Sequence, residues 1–159
     1  ANKVHITRQK TVILSTSLKH LREITQWLKN TQDIESIYTQ WLSGGKWKIL
    51  SLFERDDKKS VLIGLIDTWI DESNLWEQSD TVYIMKIPFD PPSDPYFLAR
   101  TVGMNNNFEE YSAPIAISTI NTLIWRIHSA NKNTEIYIAD ERIKKMSWGK
   151  KVESSLISL

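Results

Sequence analysis

Five short runs dominated by β-branched and aliphatic side chains recur along the chain, and the residues between them repeat apolar positions at helical spacing. The runs lie at residues 11–14, 34–39, 60–65, 81–87 and 135–139. The connections are long enough to hold a helix, which parallel pairing requires and a tight hairpin does not. This alternation predicts one α/β domain with a mostly parallel central sheet. The third run, Ser-Val-Leu-Ile-Gly-Leu at 60–65, is apolar almost throughout, as expected of a strand covered on both faces. Leu18, Leu21, Ile24 and Leu28 share one helical face, with Ser17 placed to cap. Residues 46–55 form a second helix, with Trp47, Leu50 and Phe53 along one side. A third opens on Pro95 and runs to about 104. A fourth opens at Ser112 and Pro114 and runs to about 129. Residues 142–157 read as a last helix despite Gly149, residues 66–80 as irregular, and residues 1–10 as a polar, basic edge segment.

Composition narrows the function. The 159 residues suffice for a real core. The formal net charge is +1, so nucleic-acid binding has to rest on a local patch. Absence of cysteine excludes disulfides, thiolate metal sites and cysteine nucleophiles, and fits a cytoplasmic protein. No apolar run is long enough to span a membrane. Seven tryptophans are unusual. Trp41, Trp47, Trp69, Trp76 and Trp148 stand among polar neighbours and are expected to be partly exposed.

Four of the five prolines fall within I-P-F-D-P-P-S-D-P at 87–95. Each fixes its own φ and gives up an N–H, so the segment is a stiff, nearly extended connector. It follows the fourth strand, at the edge where open α/β sheets bind ligands. Read alone, it is more readily a rigid surface turn.

Complete catalytic motifs are lacking. Gly44-Gly45-Lys46-Trp47 lacks the first glycine and the hydroxyl residue of a phosphate-binding loop and reads as a turn. His5, His20 and His128 show no ligand spacing, so no metal site is expected. Asp67, Asp71, Glu72 and Glu77 are close enough in sequence to hold magnesium, or are simply solvated. Lys144, Lys145, Lys150 and Lys151 are a solvated helix face or a phosphate-contacting patch.

The proline string resembles a signature of the second motor domain of DinG/XPD-type superfamily 2 DNA helicases. Val12-Ile13-Leu14-Ser15-Thr16-Ser17 resembles that domain's first strand with its Thr-Ser ending (motif IV). Gln40 and the turn after it resemble a Q-x-x-G stretch, 59–64 the next strand, and 108–114 the approach to motif VI. Residues 138–143 resemble an L-D-x-R-[IL] ending. The likeness covers about 11–156 and implies a RecA-like (P-loop NTPase-type) three-layer sandwich formed by residues 1–159. It implies single-stranded DNA as a partner, with Thr16, Ser17, Gln40 and Trp69 on the nucleic-acid side. It also implies a preceding RecA-like ATPase domain in the same protein. ATP and magnesium are implied for an intact family member, and none is expected to be bound by this domain alone.

The chain departs from that pattern at two motifs. Where motif V reads about S-x-W-E-G-x-D, residues 67–73 keep Trp69 alone. Where motif VI reads Q-x-x-G-R-x-x-R, the aligned positions hold Asn121, Ile124, Trp125 and His128. Neither tryptophan nor histidine supplies an always-charged bidentate fork. An arginine at such a site contributes on the order of 10³–10⁵ in phosphoryl-transfer rate. Arg126 is one residue off, about 100° around a helix, and is the possible substitute. With no Walker A or B, the isolated domain is expected to be inactive. The alternatives are a degenerate helicase-like module that binds a protein partner, and an unrelated α/β enzyme built on the acidic segment.

Overall fold

The computed structural model describes residues 10–30 and 34–156. Five strands form one sheet: β1 (Lys10–Ser15), β2 (Ser36–Thr39), β3 (Ser60–Leu65), β4 (Thr81–Ile84) and β5 (Glu135–Ile138). Their order is β2-β3-β1-β4-β5, and every pairing is parallel. The α/β expectation and the parallel sheet therefore hold. β1 is central, with Val12 opposite both Leu62 and Val82.

The described residues fall into two compact units, one drawn from Ala1–Lys86 and Trp125–Ala139, the other from Ile87–Ile124 and Asp140–Leu159. The first holds the whole sheet. Strand side chains alternate between faces. Ile13, Val61, Ile63 and Tyr83 point to one face, where Leu21, Ile24 and Leu28 of α1 (Leu18–Lys29) close over them. Tyr38, in register with Leu62, points to the other, and its ring meets Phe53 of α2 (Lys46–Arg55) edge-on at 6.2 Å. Helices thus cover both faces, which is why the central strands carry apolar residues at nearly every position.

Residues 66–80, expected to be irregular, instead form two short helices, α3 (Ile66–Trp69) and α4 (Ser73–Glu77). Leu75 and Trp76 are buried there, so tertiary burial decides what a weak local pattern leaves open.

The second unit contains α5 (Pro95–Arg100), a π-helical turn Phe108–Ser112, α7 (Arg142–Lys145) and α8 (Gly149–Ser155). α6 (Ala113–Ala130) gives it residues up to Ile124 and gives the first unit the rest. The fourth strand stops at Ile84, short of residue 87. The Ile87 N–H turns to the Asp140 carboxylate at 2.9 Å, and Pro88 has no N–H to offer. The helix on Pro95 is capped by the Asp94 carboxylate, which accepts from the N–H groups of Tyr96 and Phe97. It ends at Arg100 instead of near 104, because left-handed Gly103 (φ +83°) follows. The single helix expected over 142–157 is two. Met146 is extended between them, and a Cβ at Gly149 would lie 1.7 Å from the Ile143 carbonyl oxygen. Glycine is there for close backbone approach, not as a tolerated helix residue. Residue 157, the expected end of that helix, and residues 1–9 of the expected edge segment lie outside the described residues.

Candidate nucleic-acid interface

β1 delivers the motif IV residues to the C-terminal edge of the sheet. Ser15 is fully buried, whereas Thr16 and Ser17 are exposed. Ser17 is extended and its hydroxyl accepts from the His20 N–H at 3.3 Å, capping α1 as expected. Behind it the Ser15 hydroxyl meets His20 Nδ1 at 3.1 Å. Burial, and after it the nearby Lys86 ammonium, holds the His20 imidazole below its ordinary range, with Glu23 opposing. Two exposed hydroxyls beside a helix N-terminus, a lysine and a histidine form an edge suited to a phosphate.

Gln40 and Trp69, expected on the same nucleic-acid side, are buried and serve the interior. The Gln40 carboxamide oxygen accepts from Leu65 N–H at 2.9 Å and from Trp69 Nε1–H at 3.0 Å. Its nitrogen donates to the Thr68 hydroxyl at 2.8 Å. One side chain thereby ties the end of β2 to the end of β3 and to α3. Trp69 has no exposed face on which a base can stack. Gly64 makes room for it: a Cβ there would stand 2.0 Å from Trp69 Nε1. Trp76 is likewise buried, against expectation, with Nε1 directed at the Ile70 carbonyl. The polar neighbours that suggested exposure are not the partners: Trp69 Nε1–H donates to Gln40 and Trp76 Nε1–H to a backbone carbonyl, and such bonds allow an indole N–H to be buried. Trp148 is half-buried. Trp41 and Trp47 are exposed as expected, at 57% and 71%, and Trp41 is held at φ +65°.

The four carboxylates of 67–77 do not converge. Glu72 is buried against Lys46 at 3.1 Å, and Lys46 also sits over the rings of Trp47 and Trp69. Asp71 pairs with Arg126, and Asp67 and Glu77 are exposed. Among the described residues no three His, Cys, Asp or Glu side chains gather as a metal would need. Lys144, Lys145, Lys150 and Lys151 are all exposed, divided between α7 and α8, and Lys145 is paired with Glu141.

Nor do the motif VI positions on α6 assemble an anion site. Asn121 donates to the Ser155 carbonyl at 3.1 Å, Ile124 is buried, His128 is half-buried, and Trp125 is 60% exposed. Arg126 turns into a pocket of about 280 Å³ with Trp76 and Ser129, where Asp71 takes its charge. A triphosphate would need a free guanidinium or a carboxylate set for its metal, and the residues at these positions do not fit one.

In the second unit, Asp140 and Arg142, from the expected L-D-x-R-[IL] ending, brace the proline connector. Asp140 accepts from Ile87 N–H, from Arg142 N–H and from the guanidinium at 2.6–3.1 Å. Arg142 also donates to the Ile87 carbonyl at 3.2 Å. Burial alone would push the Asp140 carboxyl up. The hydrogen bonds and charge of Arg142, with the Ile87 N–H, outweigh it and hold the group below the usual carboxylate range. Above this brace Phe89, Phe108 and Trp148 meet with ring centroids 4.9–5.7 Å apart, lining a pocket of about 590 Å³. That pocket was not legible in the sequence, because its three rings come from segments about 20 and 40 residues apart.

Residues 1–158 match the profile of the helicase C-terminal domain. The chain is also 30% identical over 150 residues to the 3'-5' exonuclease DinG of Bacillus subtilis (strain 168), an alignment that covers 89% of this chain and 16% of that protein. Among the described residues no helix is long and apolar enough to cross a membrane. The all-parallel five-stranded sheet with helices on both faces, the Thr-Ser strand ending and the braced proline connector agree with that profile, and the chain belongs to the helicase C-terminal domain family.

Proposed function

We propose that this chain is the second motor domain of a longer DinG-like DNA helicase and contributes a single-stranded DNA contact at the end of β1. Exposure of Thr16 and Ser17 at the cap of α1 carries the reading, since this is the motif IV element that keeps both its residue types and its surface position. Lys86 supplies a positive charge beside it, near enough to help hold the His20 imidazole neutral. Gln40 and Trp69 support the platform from within. Nucleotide chemistry belongs to a preceding RecA-like domain with its own ATP and magnesium, and this domain by itself is not catalytic. The chain spans 16% of the DinG relative it matches, so the activity in that protein's name comes from a far longer chain.

The test is fluorescence anisotropy of a labelled oligodeoxythymidine at three salt concentrations. Log affinity should fall linearly with log salt, at about 0.7 per phosphate neutralised. Thr16→Val and Lys86→Gln should each weaken binding several-fold. Absence of binding at every salt concentration would refute the reading. It would favour a protein-interaction module, for which the exposed Trp125, in place of a motif VI arginine, is the specific observation.

A further inference from the structure

The aromatic pocket of the second unit has the dimensions and inventory of a small-molecule site: a concavity of several hundred Å³, mostly apolar, with a few placed polar groups. Its walls are stiff. Phe89 is carried on the proline connector, and Pro91 and Pro92 extend the same wall. Trp148 is seated beside Gly149, which backbone contact fixes in place.

Two polar groups face this space without partners. Ser112 is only 4% exposed, and its hydroxyl makes no hydrogen bond among the described residues. The half-buried Asn107 carboxamide also makes none. A ligand that covers these groups without pairing them strips them of water, so one that offers them a donor or acceptor binds selectively. Charge, by contrast, is spent. The Arg142 guanidinium lies over Phe89 and Trp148 at 5.4 and 5.9 Å but is neutralised by Asp140. Asp90 on the rim disfavours an anion.

Flat aromatic walls, a guanidinium near the rings, a carboxamide and a hydroxyl, with no free positive charge, describe a site for an uncharged planar ring that carries donors and acceptors on its edge. We propose that this pocket binds a nucleobase. The ring would stack against Phe89 or Trp148, and Asn107 and Ser112 would pair with its edge, as carboxamides do with adenine. The choice of a base over other heteroaromatic rings rests on the nucleic-acid reading above. The base comes either from a free nucleoside or from an unpaired strand.

The experiment uses the whole chain and two probes. Equilibrium dialysis with adenosine tests the free nucleoside. Anisotropy with a deoxyadenosine oligonucleotide, against the same oligonucleotide carrying abasic sites, tests the strand. Asn107→Leu and Ser112→Ala are the variants, because both should fold, and Trp148→Leu is the third. Saturable adenosine binding weakened at least fivefold by Asn107→Leu supports the pocket with a free nucleoside. A loss of at least fivefold on abasic substitution that vanishes in Asn107→Leu supports it with a strand. Oligonucleotide binding indifferent to bases and to Asn107→Leu, with no adenosine binding, overturns the pocket and leaves the phosphate contact at Thr16 intact. Adenosine binding without any oligonucleotide binding keeps the pocket and overturns the motor-domain reading. Binding of N-acetylphenylalanine amide as tightly as adenosine, insensitive to Asn107→Leu, also overturns it in favour of an apolar peptide side chain.

Discussion

Gly64→Ala should be among the most damaging single-methyl additions to this protein. The new Cβ would stand 2.0 Å from Trp69 Nε1, 2.3 Å from Cδ1 and 3.1 Å from the Gln40 carboxamide oxygen. Trp69 and Gln40 are both buried and have nowhere to swing. Overpacking of this kind costs about 1–3 kcal/mol. Displacing the indole also breaks its hydrogen bond and strands a buried donor, another roughly 1–3 kcal/mol. A total near 4 kcal/mol corresponds to a fall in Tm of about 8–16 °C for a chain of this size. Trp69→Leu alone should cost about 2–4 kcal/mol by leaving a cavity. In the double variant the methyl occupies part of that cavity, so the combined loss should fall short of the sum by about 1–3 kcal/mol. Calorimetry or urea denaturation of the four proteins closes the cycle. A Gly64→Ala variant that melts within 2 °C of its parent, or strictly additive losses, would show that Trp69 does not rest on Gly64. The indole would then again be free to stack on a base.

Gly149→Ala should cost about 3 kcal/mol or more, since the obstacle is a backbone carbonyl and not a side chain; limited proteolysis should show the second unit opening first. The Asp140 carboxyl is held below its ordinary range, so its stabilisation is present above about pH 3.9 and is lost as pH falls towards the folded value. Asp140→Asn should flatten the loss of stability seen on acidification below about pH 4 in urea denaturation. His20 is also held low, so the unfolded chain takes up its proton first. Its contribution is therefore present above about pH 6.5 and is lost as pH falls through the folded value. NMR titration of the imidazole should show this, with the midpoint rising when oligonucleotide phosphate is bound. Asp71→Asn, which breaks an exposed pair with Arg126, should change stability by less than about 1 kcal/mol in denaturant melts.

The sheet was legible because its information is local. Val12, Ile13 and Leu14, or Val61 to Ile63, need no distant partner to declare a strand covered on both faces, and Ser17 announces the cap it makes. The turn from β1 into α1 through Thr16 and Ser17 was legible for the same reason, since a strand end and the residues after it are adjacent in sequence. Exposure was not. Trp41 and Trp69 stand in similarly polar company, yet one is exposed and the other buried, because Gly64 and Gln40, 5 and 29 residues away, provide the second with a slot and a partner.

Gly149 shows the same division. By propensity it is a weak point in one helix, whereas the close approach of Ile143 makes it the break between two. Arg126 reads as a stray cation one residue from a motif, and the fold gives it to Asp71, 55 positions earlier. By itself the sequence determined the five strands, the longer helices between them, that the sheet is mostly parallel, and which family pattern the chain follows, since periodicity and short motifs act over a few residues. Tertiary structure alone decided which polar and aromatic side chains face solvent and which face one another, because burial and pairing depend on atoms brought together from distant parts of the chain.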